Sequence, residues 1–474
     1  MPLLPGVVTR MQTHQSESSG GFDRGDRVAF AVRIITAPRR YIRPWYLAYL
    51  LLGIVTAGLL PVLLPLTVEA RSHRLSTVAY VMGAYNFGLL VSPLWGMLAE
   101  RLKAYRNLFL GSFLVTTLGV LGLLLLKELP SWLVSAFALG AGSGGAATLA
   151  TLFIVDFTDR AEWEARIGWL QSFNASGQVV GLMLAAVFSG GDNTVALWVC
   201  VVTLLLAMMV GRVGLPLSKR ARPASTADRP LHLHLDVRAL AIFPKLSPSS
   251  ELGLHVHHLI LPGLRALPQA VGTPFGRFLL SWFVLALAVA AFFSFFPLML
   301  SESYAIPARM TAIIYAVASA VGIALYVLAS RLTERYGPGG VYCSGLGVRI
   351  IGFGLLLVPF LVSMENRSLF GAVGFSLIVI AWPLLSVSGT DLAARLTPFS
   401  EGAAVGLLNA ALALATAVGI VFSGPLVANW GYKTIPATAL AGLAASLWLG
   451  FENWTESRRG PRLPGPPVPG RIGA

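Results

Sequence analysis

The chain has 474 residues, of which 55% are apolar and only 12% are charged, and its formal net charge is +14. An ordinary soluble domain has about 25% charged residues, so this composition excludes a soluble protein, which would expose large apolar patches to water. It also excludes a disordered chain, which needs low hydrophobicity and high charge. The composition therefore indicates an integral membrane protein whose solvent is lipid.

Apolar runs long enough to cross a bilayer as helices, which takes about 20 residues each, occur throughout the chain. No secretory signal precedes the first run, because residues 1–44 are polar and rich in arginine. The sequence predicts an all-α integral membrane fold with twelve transmembrane helices. In chain order, the predicted spans are 45–67, 77–98, 108–126, 132–155, 167–188, 195–213, 278–300, 310–329, 341–362, 370–390, 403–427 and 435–449.

A segment rich in proline and charge separates the sixth span from the seventh. The predicted organisation is a cytoplasmic N-terminal segment 1–44, a six-helix bundle 45–213, a cytoplasmic linker 214–276, a second six-helix bundle 277–454 and a Pro-rich cytoplasmic tail 455–474. With the amino terminus inside, most of the 35 Lys and Arg residues fall in cytoplasmic segments, as they do in known membrane proteins. We therefore expect a multi-pass protein of the cell (inner) membrane with both termini in the cytoplasm.

The two halves repeat one another at a nearly constant offset along the chain. The residues that recur are Gly96, Glu100, Arg101, Asp156, Gly168 and Gln171 in the first half and Ser330, Glu334, Arg335, Asp391, Gly406 and Asn409 in the second. Because these pairs follow one another in the same order, they predict two pseudo-symmetric six-helix bundles of common design.

One charged loop motif occurs at equivalent helix ends in both halves. It consists of Gly96, Glu100 and Arg101 after span two and of Glu334, Arg335 and Gly337 after span eight. This motif resembles the Gly-x-x-x-Asp/Glu-Arg/Lys-x-Gly loop of the major facilitator superfamily (MFS), although Lys103 stands where that loop has its last glycine. The resemblance covers residues 45–454 and implies a secondary transporter that works by alternating access between its two bundles.

Charges at the cytoplasmic helix ends are predicted to form a gate. The repeat places Arg101 and Asp156 as a possible ion pair, and Arg335 and Asp391 as its equivalent in the second half. The resemblance implies that Glu100 and Glu334 reach a helix amino terminus in the opposite half, where the helix dipole favours a carboxylate. The alternative is that all of these are ordinary loop charges, because an exposed ion pair contributes only about 0 to 1 kcal/mol to the stability of the fold. The predicted gate residues are Gly96, Glu100, Arg101, Asp156, Glu334, Arg335 and Asp391.

Span five carries both a glycine pattern and a polar stripe. The spacing of the family's antiporter motif, which favours export, is found at Gly168, Gly177 and Gly181, although Leu182 stands where the motif has a proline. The alternative is that these glycines allow close packing of helices. The polar residues of the stripe lie three and four positions apart and so share one helix face. We interpret this stripe as facing a central cavity, and interhelical hydrogen bonding is the alternative.

A central cavity is expected to be built from amides, hydroxyls and aromatic rings. No Asp or Glu lies at the middle of a predicted span, so a neutral, cationic-aromatic or amphipathic solute suits the cavity better than a compact ion. For the Trp and Tyr residues near span ends, anchoring at the membrane interface is the alternative role. The cavity candidates are Tyr49, Tyr85, Asn86, Gln171, Asn174, Gln178, Trp282, Tyr315, Trp382 and Asn409.

The predicted function is secondary active transport of a small organic solute across the plasma membrane, with export favoured. An uptake symporter or a facilitator of the same fold is the first alternative. A non-transporting receptor or an enzyme is disfavoured, because the sequence shows no Ser/His/Asp set, metal cluster or phosphate loop. Coupling to a proton or to sodium stays open, since span four lacks the arginine of many proton-driven relatives.

The partners expected from the sequence are the solute, a coupling ion and the lipid bilayer. We expect a monomer without a cofactor and without nucleic-acid binding. The linker holds five of the seven histidines, including two His-x-His pairs. We predict no metal site there, because no acidic or cysteine ligand stands at a fixed spacing from them.

Overall fold

The structure is a computed structural model that describes residues 42–158, 162–189, 193–215, 272–362, 365–397 and 401–457. Within these ranges the chain forms helices joined by short turns, and no strand occurs. The predicted segments 1–44, 214–276 and 455–474, including the linker histidines, lie almost entirely outside the described residues.

Helices occur at all twelve of the predicted spans, here numbered α1 to α12, and this part of the prediction is confirmed. In the first half they are α1 (Tyr46–Gly53, a π-helical turn Ile54–Leu59, and Leu60–Ser72), α2 (Leu75–Leu89 and Ser92–Leu102), α3 (Tyr105–Leu125), α4 (Leu129–Phe157), α5 (Trp163–Phe188) and α6 (Asn193–Gly214). In the second half they are α7 (Pro274–Tyr304), α8 (Ala308–Tyr336), α9 (Pro338–Leu361), α10 (Arg367–Leu396), α11 (Glu401–Trp430) and α12 (Thr434–Ser457).

Eleven of the described helices are long and apolar enough to cross a membrane. The helix outside this set is α5, whose 26 residues still extend over about 39 Å, more than the thickness of the hydrocarbon core. Its polar stripe, Gln171, Asn174 and Gln178, lowers its hydropathy. The chain is therefore a multi-pass membrane protein. Twelve crossings bring the start of α1 and the end of α12 to one membrane face, called the terminal face below, and the opposite side is called the far face.

Glycines allow α1 and α5 to pack with their backbones in contact. A Cβ atom at Gly177 would lie 2.1 Å from the Leu50 carbonyl oxygen, and one at Gly181 would lie 2.1 Å from the Ile54 carbonyl oxygen. Lipid tails are as apolar as leucine, so membrane helices associate through this kind of close contact. Two of the three glycines with antiporter spacing therefore have a packing role. The third, Gly168, has no neighbour within 4 Å of its added Cβ.

The two six-helix halves pack against each other near the far face. The first part of α2 packs on α11, α5 packs on α8, and the last part of α1 packs on α7. At the α2–α11 contact, a Cβ at Gly424 would lie 2.3 Å from the Ala79 Cβ, and one at Gly83 would lie 2.8 Å from the Val421 Cγ2. These distances leave no room for a solute to pass between α2 and α11.

Toward the terminal face, the described packing of α2 is with helices of its own half. The second part of α2, Ser92–Leu102, packs on α3 and α4 of its own half. Gln171 of α5 and Asn409 of α11 have exposed side chains at this level. The described contacts thus close the space between α2 and α11 near the far face, whereas Gln171 and Asn409 are exposed toward the terminal face.

Candidate functional site

A cavity of about 180 Å³ lies between the two halves and receives residues from α1, α2, α7, α8 and α11. Aromatic rings of Phe293 and Phe296 form part of its wall. Its polar lining consists of Thr56, Tyr85, Asn86, Ser294, Tyr315 and Thr416. A second, larger cavity of about 360 Å³ lies at the terminal face of the first half alone, between α1, α4 and the end of α6. Only the smaller one of these two is shared by both halves, so it is the candidate site.

Most of the short polar side chains in the central cavity already donate a hydrogen bond to their own helix. Thr56 donates to the Leu52 carbonyl at 2.9 Å, and Thr416 donates to the Leu412 carbonyl at 2.7 Å. Ser294 does the same toward the carbonyl one turn earlier. A hydroxyl has one donor and two acceptor positions, so the oxygen atoms of these groups face a solute as acceptors. The cavity therefore suits a solute body that carries aromatic surface and hydrogen-bond donors.

Three of the predicted cavity residues line this cavity. They are Tyr85 and Asn86 on α2 and Tyr315 on α8. One N–H of Asn86 donates to the Met82 carbonyl at 2.9 Å, which fixes its amide within the wall.

The three polar side chains of the predicted stripe on α5 make different contacts. Gln178 donates to the Tyr315 hydroxyl at 3.5 Å, so it joins the two halves. Asn174 donates to the Tyr49 backbone carbonyl at 3.5 Å, within the first half. Gln171 is exposed and its side chain lies beside the Tyr49 hydroxyl. The stripe thus combines helix packing with one contact at the cavity.

The two predicted tryptophans of the second half, Trp282 and Trp382, are not among the residues that line the cavity. The rings of Trp282 and Trp382 are 6.0 Å apart, and Trp282 also stacks on Tyr342 at 6.2 Å. Asn409 is exposed on α11 toward the terminal face.

Arg349 is the polar residue that the sequence analysis missed. It lies near the midpoint of α9 and is 1% exposed, with its guanidinium carbon 5.5 Å from the Trp382 ring centroid and 5.8 Å from that of Phe293. The available signal was a single charge inside the otherwise apolar run 341–362. A charge at that depth is costly and is a candidate functional group by default.

The predicted gate is only partly described by the structure. Arg101 is exposed at the end of α2, whereas the side chains of Glu100 and Asp156 lie outside the described residues. A Cβ at Gly96 would lie 3.5 Å from Thr148, an ordinary contact between α2 and α4. Glu334 is exposed at the end of α8.

The ion pair predicted between Arg335 and Asp391 is replaced by another pair. Asp391 accepts a hydrogen bond at 2.9 Å from Arg395, which stands one turn later on the same helix. The Arg335 guanidinium instead lies over the Tyr336 ring at 5.3 Å. The physical reason is that residues four apart on one helix face each other, so Arg395 reaches Asp391 without bridging two helices.

The sequence profile of the Major Facilitator Superfamily matches residues 45–410. The chain belongs to this superfamily. Its fold is similar to that of the nucleoside transporter NupG, with a TM-score of 0.64 and 11% identity over 87% of this chain and 96% of that one. No curated protein sequence matches the chain.

Two further solved MFS structures are similar to this chain. A POT family peptide transporter has a TM-score of 0.63 and 15% identity over 90% of this chain and 98% of that one. The xylose transporter XylE from E. coli, in a partially occluded inward-open conformation, has a TM-score of 0.60 and 13% identity over 86% of this chain and 96% of that one. At these identities the similarity shows the fold alone.

Proposed function

We propose that this MFS protein is a secondary active transporter that binds a small organic solute in the central cavity and moves it by alternating access. The observation that carries the proposal is a cavity shared by both halves and closed at the far face by helix packing. The wall residues Tyr85, Asn86 and Tyr315 supply the polar contacts in this proposal.

We propose that the terminal face is cytoplasmic in the cell membrane and that the described conformation, with its far face closed, is the one that exchanges solute with the cytoplasm. This assignment rests on the excess of Lys and Arg in the segments that the prediction places on that side. Export is the proposed direction, on the strength of the glycine spacing in α5. Because Gly177 and Gly181 also pack on α1, the direction needs its own measurement.

The coupling ion is proposed to act away from the middle of the membrane. In the described helices, every acidic residue stands within about two turns of a helix end: Glu69, Glu100, Asp156, Glu164, Glu302, Glu334, Asp391, Glu401, Glu452 and Glu456. A proton or sodium ion would therefore bind at a helix end, and Asp156 and Asp391 are the residues that we propose for it.

Reconstitution in liposomes tests the function, the direction and the coupling together. The full chain is placed in vesicles with an imposed pH gradient or sodium gradient, and the flux of a panel of labelled organic solutes is measured. We expect at least one solute to be transported above the rate of empty vesicles, and we expect Asn86→Leu to reduce that flux. The matched control is Asn366→Leu, which changes an exposed residue before α10, outside the cavity. Rates equal to those of empty vesicles for every solute, or full activity of Asn86→Leu, would contradict the proposal.

A further inference from the structure

Arg349 is a buried cation, and two of its three donor nitrogens have no hydrogen-bond partner within the described part of the protein. Its Nε and Nη1 atoms are inaccessible and have no hydrogen-bond partner there. Its planar group instead lies against the rings of Trp382 and Phe293. Aromatic rings offset part of the cost of burying a cation, but they do not replace the hydrogen bonds lost from water.

A second unpaired donor belongs to the same aromatic cluster. The Nε1 atom of Trp282 is buried without a partner, and the Trp282 ring contacts the Trp382 ring that covers Arg349. An indole N–H and a guanidinium are donors only. The hydroxyl groups next to them are already engaged, since Ser281 contacts both the Tyr342 hydroxyl and the Ser446 hydroxyl at 3.0 Å. What this cluster lacks is an acceptor.

No acidic side chain on the adjacent described helices supplies that acceptor. Helix α9 contains no Asp or Glu, and α7 and α10 contain one each. The acids of the other helices that pack on α9, Glu334 of α8 and Glu452 and Glu456 of α12, stand in the last two turns of their helices, far along the helix axis from the midpoint of α9. Glu302 accepts a hydrogen bond from Tyr432 at the far face, and Asp391 accepts one from Arg395 near the terminal face. The missing acceptor is therefore expected to come with a ligand.

Phe293 connects Arg349 to the central cavity. Its ring covers the guanidinium at 5.8 Å and also forms part of the cavity wall. The Phe293 side chain is only half-buried, and so is that of Trp382 on the other ring contact. Phe293 is therefore the side chain whose rotation would open a path from the cavity to the Arg349 donors.

We propose that Arg349 binds the carboxylate of the transported solute, which makes the substrate a small organic anion with an aromatic, donor-bearing body. This inference rests on the proposed transport function and replaces the expectation of a neutral, cationic-aromatic or amphipathic solute with that of an organic anion. A guanidinium binds a carboxylate through two parallel charge-assisted hydrogen bonds, which are stronger than bonds between neutral groups. The acceptor-rich cavity wall contacts the rest of the solute.

Matched acid and amide probes test the proposal on the purified full chain. Thermal unfolding is followed during titration with indole-3-acetate or indole-3-acetamide, and with benzoate or benzamide. We expect the acids to raise the unfolding temperature and the amides to have little effect. We expect Arg349→Gln to weaken the apparent affinity for the acids at least about tenfold, while the control Arg331→Gln, at an exposed site on α8, leaves it unchanged.

Two further measurements test the proposal even if the Arg349→Gln variant does not fold. Arg349→Lys keeps the charge but loses the planar fork, so an intermediate affinity for the acids is expected. The acid-to-amide comparison on the unmodified protein needs no variant. Three results would overturn the proposal. They are equal stabilisation by acids and amides, no response to any acid, and stabilisation by chloride alone when gluconate is the reference anion.

Transport measurements separate this inference from the proposed function. Vesicles that transport the amides but not the acids would retain the transport function and overturn the role of Arg349. Vesicles that transport no solute would overturn the function itself, whereas acid binding in the titration would still support the anion site.

Discussion

The amide of Gln178 in α5 lies 3.5 Å from the hydroxyl of Tyr315 in α8, and this hydrogen bond joins the two six-helix halves beside the central cavity. The Tyr315 ring is held in place by Phe296 at 5.5 Å and by Phe375 at 5.4 Å, both in its own half. Tyr315 also lines the cavity, so we expect a bound solute to compete with Gln178 for its hydroxyl. The contact therefore connects solute binding to the closure of the far face.

Removing either partner of this contact should weaken the closed far face. Gln178→Leu and Tyr315→Phe are each expected to lower the unfolding temperature, and the double variant should lose less than the two single losses added together. The coupling energy should be about 0.5 to 1.5 kcal/mol, the range of hydrogen bonds between membrane helices. A double-mutant cycle on thermal unfolding in detergent measures it. Strict additivity would show that the two side chains act independently.

A disulfide between α2 and α11 should lock the far face. A Cβ at Gly83 would lie 2.8 Å from the Val421 Cγ2, so cysteines at both positions come within the roughly 3.5–4.5 Å Cβ separation of a disulfide after a small adjustment. In a chain whose native Cys200 and Cys343 are replaced by alanine, Gly83→Cys with Val421→Cys is expected to cross-link on oxidation. Transport should stop and return on reduction.

The single variants Gly83→Cys and Val421→Cys serve as controls for that experiment, since neither can form the cross-link. Full transport by the oxidised double variant, with the disulfide verified by mass, would show that the far face need not open.

The arrangement of helices was predictable because lipid imposes one simple rule on the sequence. Each helix must satisfy its own backbone hydrogen bonds and present about 20 apolar residues, so span positions appear directly as apolar runs. Several helices extend beyond the ends of their apolar runs. Helix α7, for example, ends at Tyr304, whereas its predicted span ends at Leu300. Polar and charged residues continue a helix beyond the hydrocarbon region, and hydropathy does not record them.

The site was less predictable, because side-chain pairing depends on distances between helices. Tyr85, Asn86 and Tyr315 were selected for depth and residue type and do line the cavity. Trp282 meets the same criteria but contacts Trp382 and is not among the lining residues. Asp391 was paired with Arg335 through the repeat, which carries no information on the nearer Arg395. The apolar run 341–362 gives the depth of Arg349 in the membrane, but not the rings of Phe293 and Trp382 that cover it.

The glycines of α5 should differ sharply in their tolerance of a side chain. Gly177→Val is expected to destabilise the first half, by about 1 to 3 kcal/mol or more, because the Leu50 carbonyl occupies the space of the new side chain. Gly168→Val in the same helix is the matched control and should fold normally, since nothing lies within 4 Å of its added Cβ. Thermal unfolding of the purified variants measures the difference. Equal stability of the two variants would refute the packing role assigned to Gly177.

Tyr432, in the turn between α11 and α12, should make stability depend on pH only in alkaline solution. Its hydroxyl donates to the Glu302 carboxylate at 3.0 Å. Burial, followed by the negative charge of Glu302, raises the pKa of Tyr432 above its usual value of about 10. The folded state holds the phenol proton more tightly than the unfolded state does. The contribution of Tyr432 to the free energy of unfolding is therefore complete below about pH 10 and is lost as the pH rises through the folded-state pKa.

Replacing the phenol isolates that contribution. Tyr432→Phe is expected to lose about 1 kcal/mol at pH 7, because it removes one hydrogen bond to a carboxylate that is itself exposed. This loss of stability should be constant between about pH 5 and 9. Above about pH 10, the stability of the variant should fall less steeply with pH than that of the unmodified protein. Thermal unfolding across this range measures both, with Tyr336→Phe at an exposed site as the control for general alkaline effects. A Tyr432→Phe curve that stays parallel to the unmodified protein above pH 10 would show that the phenol does not titrate with unfolding.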